Sequence, residues 1–178
     1  MLNNVISIKH TPLNSNIIAP FSTNNTYSES EQATINKALD ILASKITQSH
    51  DNLMNSSRRV GQFLRLKLST SDREIFAVMF LDNQHHIIKY EEMSVGTIDT
   101  AAVYPREVIK RALDLGANAM ILAHNHPSGI LQASNGDRQI TDKICKAAKL
   151  MDLRVLDHVI VSGIGTYSFA EHGESSLI

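Results

Sequence analysis

Three short, largely apolar runs limit the folds that this chain can adopt. The runs EIFAVMFLD (74–82), NAMILA (118–123) and LRVLDHVIVS (153–162) each have the length of a strand. Runs without polar alternation are typical of strands buried on both faces, and helical patterns between them indicate a layered α/β sheet. A chain of 178 residues is long enough to bury such a core without disulfides or a structural metal.

Amphipathic segments and turn residues predict the remaining elements of the sheet domain. Residues 85–93 alternate well enough to form a hairpin with the first apolar run. Pro105 suits the first turn of a helix that ends at Gly116, and apolar residues at helical spacing over 140–151 predict a second helix. A last hairpin is expected over 153–170. The order strand, strand, helix, strand, helix, strand, strand predicts an α/β or α+β domain of about 110 residues.

The N-terminal third of the chain differs from the rest in composition and in the spacing of its apolar residues. Residues 1–27 are crowded with Asn, Ser and Thr and show no sustained period, which predicts a flexible arm. Residues 28–57 are expected to form a helical extension, because apolar residues recur at helical spacing over 29–46. A weaker helical pattern covers 53–68, and the sheet domain is expected to occupy 58–178.

Charge and cysteine content narrow the class of function. The chain has 17 Lys and Arg against 18 Asp and Glu, so it lacks the positive excess that non-specific phosphate binding requires. Its single cysteine cannot form an intramolecular disulfide, and the sequence has neither a membrane-span pattern nor a signal peptide, so a cytoplasmic protein is expected. Four basic residues at polar helical positions favour a solvated helix face, with a DNA-binding patch as the alternative: Arg58, Arg59, Arg65 and Lys67.

The segment with the most candidate functional side chains directly follows the second apolar run and reads His124-Asn125-His126-Pro127. Side chains two residues apart on a strand point the same way, so His124 and His126 can present their imidazoles together. Asp137, in the first turn of the next helix, can add a carboxylate. Two nitrogens and one oxygen leave a fourth tetrahedral position for water, which is the arrangement of a catalytic zinc site.

Each part of this pattern also has a simpler interpretation. A His-x-His pair can be a half-exposed pair on a strand, and Ser134 with Asp137 three residues later fits a helix capping box. The other histidines have no comparable spacing and are expected to be surface or structural residues. His158, inside an apolar run, is the one that suits a partner behind a metal ligand.

Taken together, the His-x-His-Pro segment, six intervening residues, Ser134, two residues and Asp137 match the metal motif of the JAMM metalloprotease superfamily, also called the JAB/MPN type. Over roughly residues 58–173 the chain resembles one branch, the bacterial RadC-like proteins. The phrases that carry this resemblance occur in order: FLDNQHHIIKYEE, GTID, VYPREVIKRAL, ILAHNHPSG, RVLDHVIV and SFAEHG. The resemblance implies a JAMM-type, cytidine-deaminase-like mixed sheet flanked by helices.

The resemblance also implies a site. One Zn²⁺ per chain would be held by His124, His126 and Asp137, and Ser134 would hydrogen-bond the water or the tetrahedral intermediate. An upstream glutamate would be the general base, and Glu74, at the entrance to the first buried strand, fits that placement best. The alternatives for the base, near the end of the hairpin, are Glu91 and Glu92.

The function implied is that of a zinc-dependent hydrolase, a metallopeptidase or isopeptidase-like enzyme that acts on a peptide or isopeptide through a zinc-activated water. The alternative is a non-catalytic RadC-like module that acts with DNA or a protein partner. A nuclease or a small-amide hydrolase would use the same activated water. Two features depart from the family: the loop before Ser134 lacks a proline, and no helix-hairpin-helix nucleic-acid module is recognisable. The oligomeric state stays open.

Overall fold

The computed structural model describes residues 27–48, 57–96 and 103–174, with the side chains of 43–48 excepted. In chain order the elements are α1 (Glu29–Gln48), α2 (Ser57–Leu68), β1 (Ile75–Leu81), β2 (Ile87–Val95), α3 (Pro105–Asp114), β3 (Ala119–Asn125), α4 (Asn135–Lys149), β4 (Arg154–Ser162) and β5 (Gly165–Ser168). A mixed sheet with flanking helices, preceded in the chain by the helices α1 and α2, confirms the predicted α+β class with a helical N-terminal part.

The five strands form one sheet in the order β2-β1-β3-β4-β5. Strands β3 and β4 are parallel and are joined by α4, whereas the other neighbouring strands are antiparallel. In this register His124, near the end of β3, pairs with Phe76 at the start of β1 and with Ile160 near the end of β4. The start of β1 and the ends of β3 and β4 therefore meet at one edge of the molecule.

Helices cover both faces of the sheet. On one face, α3 and α4 pack Val108, Ala112 and Ile144 against the sheet residues Phe80 and Leu122. On the other face, a second apolar cluster joins α1 and α2 to β1, β3 and β4. Its most deeply buried members include Leu39, Leu64, Leu68, Met79, Leu81 and Ala123. Every residue of β1 and β3 is buried, as their unbroken apolar runs predict.

The observed boundaries differ little from the predicted ones, and the difference at β2 has a local cause. This strand begins at Ile87 rather than at residue 85, because the Asp82 carboxylate accepts hydrogen bonds from the backbone N–H groups of Gln84 and His86. His85 also adopts a φ of 66°, which is incompatible with a strand. The turn chemistry therefore shortens the predicted strand.

The solvated helix face predicted for α2 is wrong at Lys67. This side chain is only 4% exposed, and its ammonium lies 5.5 Å from the centre of the Tyr90 ring. Burial lowers the pKa of Lys67, while the negative charges of Glu92 and Asp40 act in the opposite direction. Helix α2 lies between the sheet and α1, and Lys67 is on a side of the helix that this packing covers. The other three basic residues of the predicted face are exposed, as expected: Arg58, Arg59 and Arg65.

The predicted arm, residues 1–27, lies outside the described residues except for Tyr27, and so does the predicted start of the second helix at residue 53. The division between the helical extension and the sheet domain at residue 57 stays a prediction. Within the described ranges, no helix combines the length and the apolar character that a membrane crossing requires.

Candidate metal centre

The first two residues of the centre lie where β3 leaves the sheet. His124 is near the end of β3, and His126 directly follows the strand, with its backbone N–H donating to the carbonyl of Val161 on β4. This bond continues the parallel pairing by one residue, so the two imidazoles stay on one side of the sheet. The chain then turns back, and Gly129, at a φ of 84°, donates its N–H to the carbonyl of His126. A side chain there would be strained.

The third residue, Asp137, is held in place by the start of α4. Ser134 is the N-cap, and its hydroxyl oxygen accepts a hydrogen bond from the backbone N–H of Asp137 at 3.1 Å. In return, the carboxylate of Asp137 accepts from the backbone N–H of Ser134 at 2.7 Å. The capping box is therefore formed. It does not exclude a role in metal binding, because it also aims the carboxylate at the two histidines.

The two imidazoles and the carboxylate of these residues converge. The Nε2 atoms of His124 and His126 are 2.9 Å apart. The Oδ1 atom of Asp137 lies 3.2 Å from Nε2 of His124, and its Oδ2 atom lies 3.5 Å from Nε2 of His126. Zinc binds nitrogen and oxygen ligands at about 2.0–2.1 Å in a tetrahedron, so two ligand atoms on one ion are about 3.3 Å apart. The three observed separations lie close to that spacing. The residues predicted to bind zinc are therefore brought together.

The electrostatics of the cluster favour a bound positive charge. Burial alone would raise the pKa of the Asp137 carboxyl, but its hydrogen bonds to His124 and His126 outweigh burial and hold that pKa well below the usual range. The hydrogen bond to Asp137 raises the pKa of His126, against the effect of burial. The carboxylate thus stays ionised and attracts whichever cation, proton or metal, lies between the two rings.

The second ring nitrogen of each imidazole, Nδ1, also has a hydrogen-bond partner. The Nδ1 atom of His126 lies 2.8 Å from the carbonyl oxygen of Ile130, which ties down the loop that lacks a proline. The Nδ1 atom of His124 lies 2.8 Å from Nε2 of His158, whose own Nδ1 is 2.5 Å from the hydroxyl of Thr141. His158 is fully buried, and burial keeps its pKa well below the usual histidine value. The structure therefore confirms His158 as the partner behind a candidate ligand.

A cavity of about 580 Å³ opens over the cluster, and Glu74 lines it. This glutamate directly precedes β1, the antiparallel neighbour of β3. Burial raises the pKa of Glu74, the imidazole of His124 lowers it, and the charge of Asp137 raises it. The other described lining residues include His124, His126, Ser134, Asp137, Phe76, Val103, Ile130 and Gln132.

The two alternative bases do not reach this cavity. Neither Glu91 nor Glu92 is among the described residues that line it. Glu91, on the edge strand β2, forms ion pairs of 2.9 Å with both Lys89 and Arg111. Of the three glutamates considered from the sequence, the structure brings Glu74 alone to the described part of the site.

Asn125, which lies between the two histidines, was missed by sequence reasoning. Its side chain points away from theirs and is 2% exposed. The amide oxygen accepts from the N–H of Ile75 at 2.7 Å, and the amide nitrogen donates to the carbonyls of Arg73 and Ser71 at 2.9 and 3.3 Å. These bonds bracket Glu74. An asparagine at the end of a wholly buried strand was the available signal, because such a residue must find hydrogen-bond partners.

Comparison with known proteins places this arrangement in a family. A family model described as the RadC-like JAB domain matches residues 54–174. A UPF0758 protein of Haemophilus influenzae is 54% identical over 120 residues, which are 67% of this chain and 54% of that protein. A UPF0758 protein of Marinomonas is 52% identical over 123 residues, 69% of this chain and 55% of that protein.

A UPF0758 protein of Vibrio cholerae is 46% identical over 143 residues, which are 80% of this chain and 89% of that protein. The chain thus aligns with about half the length of the Haemophilus and Marinomonas proteins and with most of the Vibrio protein. The matched family region includes every residue of the candidate centre. This chain belongs to the RadC-like JAB-domain family.

Proposed function

We propose that this chain is a zinc-dependent hydrolase with metallopeptidase or isopeptidase-like activity. One observation carries the proposal: the ligand atoms of His124, His126 and Asp137 lie within 4.8 Å of one another at the base of an open cavity. Three protein ligands beside an accessible space are typical of catalytic rather than structural zinc sites.

The donor set suits zinc. Imidazole nitrogen and carboxylate oxygen are common zinc ligands, and no thiolate is needed for a site of this kind. When bound by these three residues, Zn²⁺ would polarise a substrate carbonyl and lower the pKa of a coordinated water from 15.7 toward about 7. The rest of the chemistry belongs to the side chains around the cavity.

Glu74 is the proposed general base. Glu74 lines the same cavity as the three ligands, and there a carboxylate can accept a proton from the attacking water and return it to the leaving amine. Partial burial raises its pKa, and a raised pKa brings a carboxyl closer to the value at which one group can serve as both base and acid.

Ser134 is proposed to stabilise the negative charge that develops on the substrate. Its oxygen accepts the N–H of Asp137 in the capping box, and among the described hydrogen bonds none uses its hydroxyl proton. Because Ser134 lines the cavity, that proton is available to donate to a carbonyl oxygen as it gains charge.

The charge of the cavity favours an amide substrate over a phosphodiester. Among its described lining residues there is no Lys or Arg, whereas Glu74 and Asp137 are acidic. Phosphodiester substrates are generally bound by cationic side chains. The DNA alternative is further weakened on α2, because Lys67 is buried and Arg65 donates to the carbonyl of Gly163.

Metal analysis and hydrolysis together test the proposal. The purified full chain, supplied with zinc at neutral pH and then freed of excess metal, is expected to hold about one zinc per chain. It should then cleave members of a peptide and isopeptide library. His126→Ala should abolish both zinc retention and cleavage, whereas His86→Ala, which alters a histidine paired with Asp82 far along the chain, should change neither.

Two results would contradict the proposal. One is a wild-type chain that holds no zinc after supply. The other is a zinc-loaded chain that leaves every peptide and isopeptide intact while binding DNA with an affinity that falls steeply as salt rises, since that dependence is the signature of phosphate contacts.

A further inference from the structure

A buried chain of hydrogen-bonding groups connects two of the candidate ligands through the interior. It runs from Nδ1 of His124 on β3 to Nε2 of His158 on β4, at 2.8 Å, and from Nδ1 of His158 to the Thr141 hydroxyl on α4, at 2.5 Å. The same hydroxyl lies 2.6 Å from the backbone carbonyl oxygen of Asp137. This series of hydrogen bonds therefore begins at one ligand residue and ends at another, and it links β3, β4 and α4.

The carbonyl of Asp137 determines which group donates in each of these hydrogen bonds. A carbonyl oxygen only accepts, so the single hydroxyl proton of Thr141 is donated to Asp137. The Thr141 oxygen must then accept from His158, which places a proton on Nδ1 of that ring. The opposite direction would leave two acceptor oxygens facing each other at 2.6 Å with no proton between them.

The burial of His158 carries this direction onward. The ring is fully buried, stacked on Phe169 with centroids 4.8 Å apart and met by the ring of Phe76 at 5.7 Å. Such surroundings favour the neutral imidazole, which has one proton only. With that proton on Nδ1, Nε2 of His158 is an acceptor, so Nδ1 of His124 must be the donor.

The same reasoning applies to the second histidine ligand. Nδ1 of His126 faces the carbonyl of Ile130 at 2.8 Å, so this nitrogen also carries a proton. In their neutral forms both rings then present an Nε2 lone pair, and these two atoms face each other at 2.9 Å beside the Asp137 carboxylate. Three acceptors around one point are an arrangement that a cation completes.

We propose that His158 and Thr141 are positioning residues that hold His124 in the Nδ1-protonated form, so that its Nε2 lone pair is directed at the metal position before a metal binds. The inference rests on the proposed function where it treats Nε2 as a zinc-binding atom. The proton positions follow from the hydrogen bonds and from the burial of His158, and they do not depend on a bound metal.

Nitrogen NMR of the full, metal-free chain tests the proton positions directly. Long-range proton–nitrogen correlation spectra of ¹⁵N-histidine-labelled protein at about pH 8 distinguish protonated from unprotonated ring nitrogens, because free histidines are then neutral. The expected result is a proton on Nδ1 of both His124 and His158 and none on Nε2 of His158. An unprotonated Nδ1 in either ring, or a proton on Nε2 of His158, would overturn the inference, whether or not the chain binds zinc.

Zinc affinity tests the consequence. Thr141→Val removes the hydroxyl at nearly constant shape and should mix the two protonated forms of His158 and His124. Competition with a chromophoric chelator should then show zinc affinity lower by about tenfold or more. Thr141→Ser, which restores the hydroxyl, should recover it. The matched control is Thr34→Val, since Thr34 bonds the carbonyl four residues back in α1 without a histidine partner.

These results separate the two proposals. If Thr141→Val binds zinc as tightly as wild type, or if Thr34→Val weakens binding equally, the positioning role is refuted. If the wild-type chain binds no zinc, the proposed function fails, and the nitrogen spectra still decide whether His158 and Thr141 set the proton positions.

Discussion

Two clusters of ionisable groups, each with a buried member, lie on opposite faces of the same sheet, and they differ in how their charges are compensated. On the face covered by α1 and α2, the Lys67 ammonium is enclosed near the Tyr90 ring and the carboxylates of Glu92 and Asp40. On the other face, the acceptor atoms of His124, His126 and Asp137 converge beneath an open cavity. The first cluster holds cation and anions together, whereas the second gathers acceptors around a point that a cation can fill.

The difference shows why perturbed pKa values alone do not identify a site. Burial lowers the pKa of Lys67 and raises the pKa of Glu92 just as it raises that of Glu74. Structural ion pairs produce such shifts as readily as catalytic groups do. What distinguishes the metal centre is geometry: several ligand atoms at the separations one ion requires, with an accessible space beside them.

The largest expected effect comes from Glu74→Gln. The variant should hydrolyse substrate at least about 100-fold more slowly, since general acid–base catalysis contributes about 10²–10⁴-fold, while it keeps one zinc per chain. Rates and metal content measured on one preparation test this. A variant with normal rates would show that Glu74 is not the general base. The proposed catalytic role of the cavity would then no longer distinguish it from the Lys67 cluster.

The same substitution should not lower stability. Burial raises the pKa of Glu74 in the folded state, so its ionised form at pH 7 opposes folding, and this cost fades as pH falls through the raised pKa. The neutral glutamine removes the cost. Thermal unfolding at pH 7 should therefore show a midpoint equal to or above that of wild type, and a clear decrease would contradict this assignment.

An intermediate effect is expected from Asn125→Asp. The new carboxylate can still accept from the N–H of Ile75, but it faces the carbonyls of Ser71 and Arg73 without a proton to donate. Unsatisfied buried groups cost about 1–3 kcal/mol each, so stability should fall and displacement of Glu74 should reduce kcat by about tenfold with zinc retained. Chemical denaturation and steady-state kinetics measure both effects. Asn83→Asp in the exposed turn after β1 is the control.

The pH profile of hydrolysis should shift in a defined direction. The base acts as a carboxylate, and burial raises the pKa of Glu74 above its usual value of 4.5. The acidic limb of kcat/KM should therefore have its midpoint above pH 4.5, with activity lost as pH falls through it. A midpoint at or below the ordinary glutamate value would indicate an exposed base.

The smallest expected effect comes from Lys67→Met on the opposite face. Methionine keeps most of the apolar stem and removes a buried charge, while Glu92 and Asp40, which attract that charge, are exposed and stay solvated. The free energy of unfolding should therefore change by less than about 1 kcal/mol. Zinc content and kcat should match wild type. Loss of zinc in this variant would show that the two clusters are coupled through the sheet.

Much of the fold was predictable because it depends on local patterns. Unbroken apolar runs predicted β1 and β3, Pro105 and Gly116 framed α3, and the capping residues Ser134 and Asp137 predicted the start of α4. The boundary of β2 was less accurate, because Asp82 organises its turn by side-chain hydrogen bonds that strand patterns do not reveal.

The candidate site divides in the same way. Spacing alone placed His124 and His126 on one side of a strand, and the position of Asp137 in the first turn of the next helix suggested the third ligand. The family motif added the roles of Ser134 and Glu74. Neither the spacing nor the motif could show that Asn125 hydrogen-bonds the residues on both sides of Glu74, or that Thr141 lies beside His158. Those contacts join residues that are distant in the chain.

The sequence by itself determined which segments are strands and helices and which residue types stand at the end of β3, because both depend on neighbours within a few positions. Only the tertiary structure decided that Lys67 is buried and that His158 meets His124. Both follow from packing between elements: α1 covers α2, and the parallel pairing of β3 with β4 sets the register of the two histidine strands. Strand register is a property of the whole sheet, and no local pattern specifies it.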